Sequence, residues 1–249
     1  MRQSSLLERA MDVVEYVVQT RRTVSVAELT RSLDLPKPSA HRICANLEEM
    51  QILSRDPLVR GLTVGPRLAR LALDALLASS EDGPRRRILR SVVEEAGETC
   101  TLTAIDGDRV LCLDRVESEN PLQVQLYAGS HVPLHCTASG KLLLAFLAKA
   151  KRNKLLHAVA LKAHTSNTIV EFPALERELE KIRKAKISTD NEEFLPGLAA
   201  VAVPIFDARG TVCAALSLNA PASRMDTSDA KKIAALQSGA TAMSAFFSS

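Results

Sequence analysis

Residues 133–145 read Pro-Leu-His-Cys-Thr-Ala-Ser-Gly-Lys-Leu-Leu-Leu-Ala, and their order bears on chemistry. Small side chains at Ala138, Ser139 and Gly140 separate a short extended run from an amphipathic apolar run opening at Leu142. A helix that begins on small residues leaves its first backbone N–H groups accessible, and with the helix dipole they favour an anion. The pattern fits a pocket for a small carboxylate or similar polar metabolite. It also fits Thr137 as the cap of an ordinary core helix. Asp190-Asn-Glu-Glu193 sets carboxylates ahead of the apolar run Leu198–Phe206, either facing a cavity or lying in a surface turn. Ser217 and Asn219 alternate with Leu216 and Leu218, so both point to one sheet face. That face is either solvated or lines a pocket, because a buried polar group without a partner is costly.

Other constellations are weaker. His131 and His135 stand four apart with Cys136 adjacent, yet Pro133 between them breaks any helix that would present both on one face. His157 and His164 have no partner at ligand spacing, so no metal site and no cofactor are expected. Gly140-Lys141 fails as a phosphate loop, with His135 at the earlier glycine position and Leu142 in place of Ser or Thr. Neither Cys136 nor Ser139 sits in a nucleophile elbow. No acid–base pair at recognisable spacing supports an enzyme.

A second polar group lies near the N-terminus. Lys37, Ser39, His41, Arg42 and Asn46 surround the apolar edge Ile43/Leu47. Lys and Arg reach phosphates, while Arg, His and Asn read base edges. A solvated helix face is the plain alternative.

The elements that must position these groups follow from periodicity. Leu6, Ala10, Val13, Val14 and Val17 recur at helical spacing over 5–19. Ser25-Val-Ala-Glu28 has capping-box spacing before a short helix to about Leu33. Asp34-Leu-Pro-Lys37 is a turn, and Pro38 suits the first turn of a third helix at about 39–50. This is helix-turn-helix arithmetic. Residues 52–64 read as a hairpin wing, with Arg55 and Arg60 as further phosphate or minor-groove contacts. From Pro66 an amphipathic helix runs to a break rich in turn formers at 79–84. The expected domains are a winged helix over 1–65, a linker helix over 66–83 and an α/β domain over 84–249. Leu68, Leu71 and Ala72 exceed what a small winged domain buries, so the linker is expected to pair with a second copy or pack as a plain helix. Beyond Pro84, helices are expected at about 85–96, 138–149, 151–158, 173–185 and 226–247. Strands are expected at 100–105, 109–116, 122–127, 198–206 and 212–218, a mixed pattern that predicts an α+β fold with an antiparallel sheet.

Composition sets bounds. The 249 residues are 46% apolar, enough for real cores, and no run of about 18 apolar residues suggests a membrane span. No secretory apolar segment opens the chain. Five scattered cysteines without a C-x-x-C pair argue against a disulfide framework and fit a reducing cytoplasm. A net charge of +3 permits DNA binding without demanding it.

Several motifs in order carry a family resemblance: Leu35-Pro-Lys-Pro-Ser-Ala-His-Arg42, Val64-Gly-Pro-Arg-Leu68, Pro133-Leu-His-Cys-Thr-Ala-Ser-Gly-Lys141, Asp190-Asn-Glu-Glu193 with the run to Asp207, and Ala214-Ala-Leu-Ser-Leu-Asn-Ala-Pro-Ala-Ser-Arg224. The chain resembles the IclR-type bacterial transcriptional regulators over nearly its whole length. The resemblance implies a winged helix-turn-helix, a linker helix and a GAF-like effector-binding domain, in a dimer or dimer of dimers. It implies operator DNA and a small organic acid as partners. Ala138 and Ser139 would offer N–H groups to a carboxylate, Asp190 and Ser217 their side chains, and Val124, Leu126, Val132 and Leu198 an apolar lining. Ala200 stands where small-oxoacid-binding members have a cysteine and Asn219 where they have a serine, which tilts expectation toward a larger acid. The competing expectation is a metabolic enzyme whose basic N-terminal module mediates assembly.

Overall fold

The computed structural model describes residues 5–20, 22–56, 61–77, 83–120, 126–158 and 161–248. The chain divides into two compact units, Met1–Ala78 and Ser79–Ser249.

In the first unit α1 (Leu6–Thr20), α2 (Val26–Ser32) and α3 (Lys37–Glu49) bury most of the stripe their spacing predicts, with Val13, Val17, Leu29, Ile43 and Leu47 in one core, while Leu6 at the head of α1 stays 55% exposed. Ser25 caps α2 by accepting from the Glu28 N–H at 3.2 Å. Pro38 lies in the first turn of α3, where its missing N–H costs nothing. Strands β1 (Leu53–Arg55) and β2 (Leu62–Val64) pair antiparallel, and Val24 bridges Leu62 to widen the wing. A Cβ on Gly65 would sit 2.3 Å from the Gln51 carbonyl oxygen, so only glycine lets the chain turn back into α4 (Pro66–Leu77). Leu68 of α4 packs on the unit's own core rather than standing free, while Leu71 is 50% exposed.

The second unit is a six-stranded antiparallel sheet of order β5-β4-β3-β8-β7-β6. Its strands are β3 (Thr99–Asp106), β4 (Arg109–Val116), β5 (His131–Pro133), β6 (Ser188–Asn191), β7 (Leu198–Phe206) and β8 (Val212–Pro221). Helices α5 (Pro84–Ala96) and α9 (Ala230–Ser248) pack together against one face, and Gly239 of α9 fits directly over Val92 and Leu216. Helices α6 (Ala138–Phe146) and α8 (Phe172–Ala185) lie on the other face, with α7 (Lys149–Ala158) between them in sequence. That face carries small residues, Ala200, Ala202 and Ala215, so α6 does not sit flush on it everywhere.

Two expectations need correction. The strand expected at 122–127 lies mostly outside the described residues, which omit 122–125 and with them Val124; Leu126 and Tyr127 are not in a strand. The edge strand is instead β5, set up by a turn in which the Ser130 N–H donates to the Tyr127 carbonyl at 2.9 Å. The last helix begins at Ala230, because Asp226 and Asp229 accept from the N–H groups of Ser228 and Lys231 and shape a turn ahead of it. No helix among the described residues is long and apolar enough to cross a membrane.

Candidate functional site

Register places the chemistry. Across the sheet Asp190 lies opposite Ala200, Ala200 opposite Asn219, and one row over Ala202 lies opposite Ser217, itself opposite Thr101. Directly opposed residues share a face, so these polar groups and the small alanines look toward α6. The space between is a pocket whose enclosed volume is about 30 Å³, or about 460 Å³ when the open space at its mouth is counted. Its walls include Leu126, Val132, Ala138, Ser139, Asp190, Leu198, Ala200, Ser217 and Asn219, every described residue the sequence singled out for this role.

Residues the sequence reading missed complete the wall: Thr101, Thr103, Cys112 and Phe194. Their signal was present, since Thr99, Thr101 and Thr103 alternate with Cys100 and Leu102 at strand period.

At the helix end of the cavity, Thr137 caps α6 by accepting from the Gly140 N–H at 3.1 Å and donates to the Pro133 carbonyl at 2.8 Å. The Ala138 and Ser139 N–H groups find no acceptor among the described residues, as first-turn donors must without a ligand or water. A Cβ on Gly140 would lie 2.3 Å from the Leu134 carbonyl oxygen, so glycine is needed where the helix start meets β5's exit. Capping and an accessible helix start are both true of this segment.

At the sheet end, Asp190 is 1% exposed, and one of its oxygens accepts from the N–H groups of Glu193 at 2.7 Å and Phe194 at 3.4 Å. Burial outweighs those bonds and pushes its carboxyl up to about 7, with the neighbouring Glu193 charge adding to the rise. Asp190 therefore both donates and accepts near neutrality rather than only accepting. Ser217 donates to the Thr101 carbonyl at 3.4 Å and accepts from Asn219 Nδ2 at 3.3 Å, which leaves its hydroxyl no spare proton. Asn219 Nδ2 also reaches Thr101 Oγ1 at 3.1 Å. Behind the wall Lys141 and Glu193, both buried, form an ion pair; burial raises the Glu193 carboxyl, and its second oxygen has no partner among the described residues.

In the other unit Lys37, His41, Arg42 and Asn46 project from α3 exposed and without partners among the described residues, with Ser39 half-buried beside them. Arg55 departs from expectation, because its guanidinium is held by Glu48 of α3 at 2.6 and 3.0 Å. It braces the wing against α3 instead of standing free. Arg60 lies outside the described residues.

A three-helix unit with a wing and a free polar helix face, joined to an α/β domain with an internal cavity, is the build of a DNA-binding transcriptional regulator. The chain belongs to the IclR family: the IclR helix-turn-helix domain matches residues 6–57, and the bacterial transcriptional regulator IclR C-terminal domain matches 84–245. It is 41% identical over 217 residues to the probable transcriptional regulator SauR of Cupriavidus necator, covering 87% of this chain and 86% of that one. It is 27% identical to the transcriptional repressor IclR of Escherichia coli, covering 88% and 81%. The crystal structure of Thermotoga maritima IclR superposes with a TM-score of 0.64 at 30% identity, covering 98% of each chain. These relatives are regulators, not enzymes, which sets aside the reading of a metabolic enzyme with an assembly module.

Proposed function

We propose that this regulator senses a small organic acid in the α6 cavity and acts as a repressor whose operator binding the acid relieves. The observation that carries the reading is the pair of unsatisfied N–H groups at Ala138 and Ser139 on the wall of a largely apolar cavity. Those donors and the helix dipole suit the carboxylate, while Asp190 and the amide of Asn219 suit a hydroxyl or carbonyl at the far end. Leu126, Val132 and Leu198 supply apolar contact. DNA binding falls to Lys37, Ser39, His41, Arg42 and Asn46 of α3, in a homodimer or dimer of dimers that presents paired winged helices. The acid changes operator affinity only as far as it binds the two arrangements of the assembly differently.

Ala138→Pro tests this with little harm to the helix. Ala138 is the first helical residue, and Thr137 already holds φ −111° and ψ 149°, the extended geometry that precedes proline. The full chain is screened by thermal shift against 2-oxo, 2-hydroxy and aromatic acids, since a ligand selective for the native state raises apparent stability. The expected result is an acid that stabilises the wild type and releases operator DNA, with both effects weakened about tenfold or more in Ala138→Pro. A responsive acid whose affinity ignores Ala138→Pro overturns the placement.

A further inference from the structure

We propose that His135, Cys136 and His164 form a binding site for a divalent transition-metal ion of zinc's class, set behind the wall of the α6 cavity. The fold dissolves the pairing that the sequence offered and builds another. His131 is drawn away, with its Nε2 2.8 Å from Asp106 Oδ2. The loop before α8 brings in His164 instead, whose ring centroid lies 5.9 Å from that of His135. One ligand atom from each of His135, Cys136 and His164 lies within 4.8 Å of the other two. A tetrahedral ion with bonds of about 2.0–2.3 Å holds its ligands under about 4 Å apart, so ångström-scale side-chain movement closes the set.

The donors select the ion. Two imidazoles and a thiolate suit zinc, cobalt or nickel and offer nothing to calcium or magnesium, which take oxygen. His135 is oriented as a ligand is: one ring nitrogen lies 2.9 Å from the Lys162 carbonyl, which fixes the tautomer and leaves a lone pair on the other. The loop carrying His164 is fastened: the His164 N–H donates to Thr168 Oγ1 at 3.0 Å, Thr168 donates to the Glu193 carbonyl at 2.6 Å, and the His164 ring meets Phe194 edge-on at 5.5 Å. The Cys136 thiol is fully buried. On binding, the metal–sulfur bond replaces the S–H bond and the proton leaves to solvent, with no change of oxidation state. Three protein ligands leave a fourth position for water.

The ion would tie the entry of α6 to the loop of His164, next to Thr137 and Phe194 of the cavity wall. None of the three ligands lines the cavity, so the site stands or falls apart from acid sensing.

The test uses full-length protein stripped by a chelator and titrated with cobalt(II). One equivalent per chain is expected, with thiolate-to-cobalt charge-transfer absorption. Cys136→Ser should abolish that absorption. His164→Gln, at a partly exposed position, should weaken binding by about tenfold or more while the chelator-treated melting temperature stays put. His131→Gln should change neither. Absence of the thiolate absorption, or cobalt affinity indifferent to His164→Gln, overturns the proposal even if Cys136→Ser fails to fold.

Discussion

Replacing Asp190 by Asn should stabilise the protein at neutral pH and lose that advantage in acid. The amide keeps an oxygen for the N–H groups of Glu193 and Phe194, so the turn survives. What changes is charge. The Asp190 carboxyl is raised from 3.8 to about 7 in the folded chain, so folding favours its protonated form. Below about pH 3.8 the folded and unfolded states both carry the proton and the carboxyl costs nothing. As pH climbs toward 7 the unfolded chain ionises freely while the folded one resists, and the native state loses ground. At about 1.4 kcal/mol per pH unit this amounts to roughly 4 kcal/mol, fully developed above pH 7. The group is 1% exposed, so solvent screening does not erase the effect. In a unit of this size that is on the order of 10 °C. Calorimetry of the full chain without ligand, wild type against Asp190→Asn at pH 4 and pH 8, reads it directly. A difference equal at both pH values, or an Asn variant that melts lower at pH 8, refutes the reasoning.

The buried pair behind the cavity predicts an asymmetry: Lys141→Met should cost about 3–5 kcal/mol by stranding Glu193, whereas the double variant Lys141→Met/Glu193→Gln should recover most of it, as chemical denaturation will show. Arg42→Ala should weaken operator binding by about 1–3 kcal/mol if it reads a base, and unchanged affinity in a folded variant removes it from the interface. Leu71→Glu sets a charge on the exposed apolar position of α4 and should reduce the oligomeric state in sedimentation. Asn219→Ser should alter preference among acids more than melting temperature, because it exchanges one cavity hydrogen-bonding group for another.

Much of this site could be read from local signals because local signals determine much of it. Ala138, Ser139 and Gly140 had to open a helix, and the Ser217/Asn219 alternation fixed a face. What escaped depends on partners far away in sequence. Ser188-Thr-Asp-Asn191 is too short and polar to announce a strand, and becomes β6 only because β7 pairs with it. Lys141 reads as part of a failed phosphate loop until the fold sets it on Glu193. His164 has no ligand spacing along the chain, since loop and α6 entry meet only in three dimensions. Leu68 looked like surplus apolar surface because the sequence does not show that the core of its own unit reaches it.

The hydrogen-bond ledger of the cavity is more selective than its list of residues. Ser217, Thr103 and Thr137 have polar hydrogens already committed, to the carbonyls of Thr101, Ala215 and Pro133. Among the described residues, the donors left open on the wall are the N–H groups of Ala138 and Ser139 and the hydroxyls of Ser139 and Thr101. Asn219 spends its amide hydrogens on Thr101 and Ser217, which leaves its oxygen as an acceptor. Three of the four open donors therefore lie at the start of α6 and the acceptors toward β6 and β8, where the Thr101 hydroxyl is a donor beside Asn219; Asp190 can play either part near neutrality. A ligand with an acceptor-rich end and a donor-bearing end satisfies both without stranding a group. One with anionic groups at both ends would set a charge against Asp190 and Glu193, where burial makes repulsion expensive. Under the proposed sensing role, the polarity of the cavity would therefore favour an acid with one charged end over one with two.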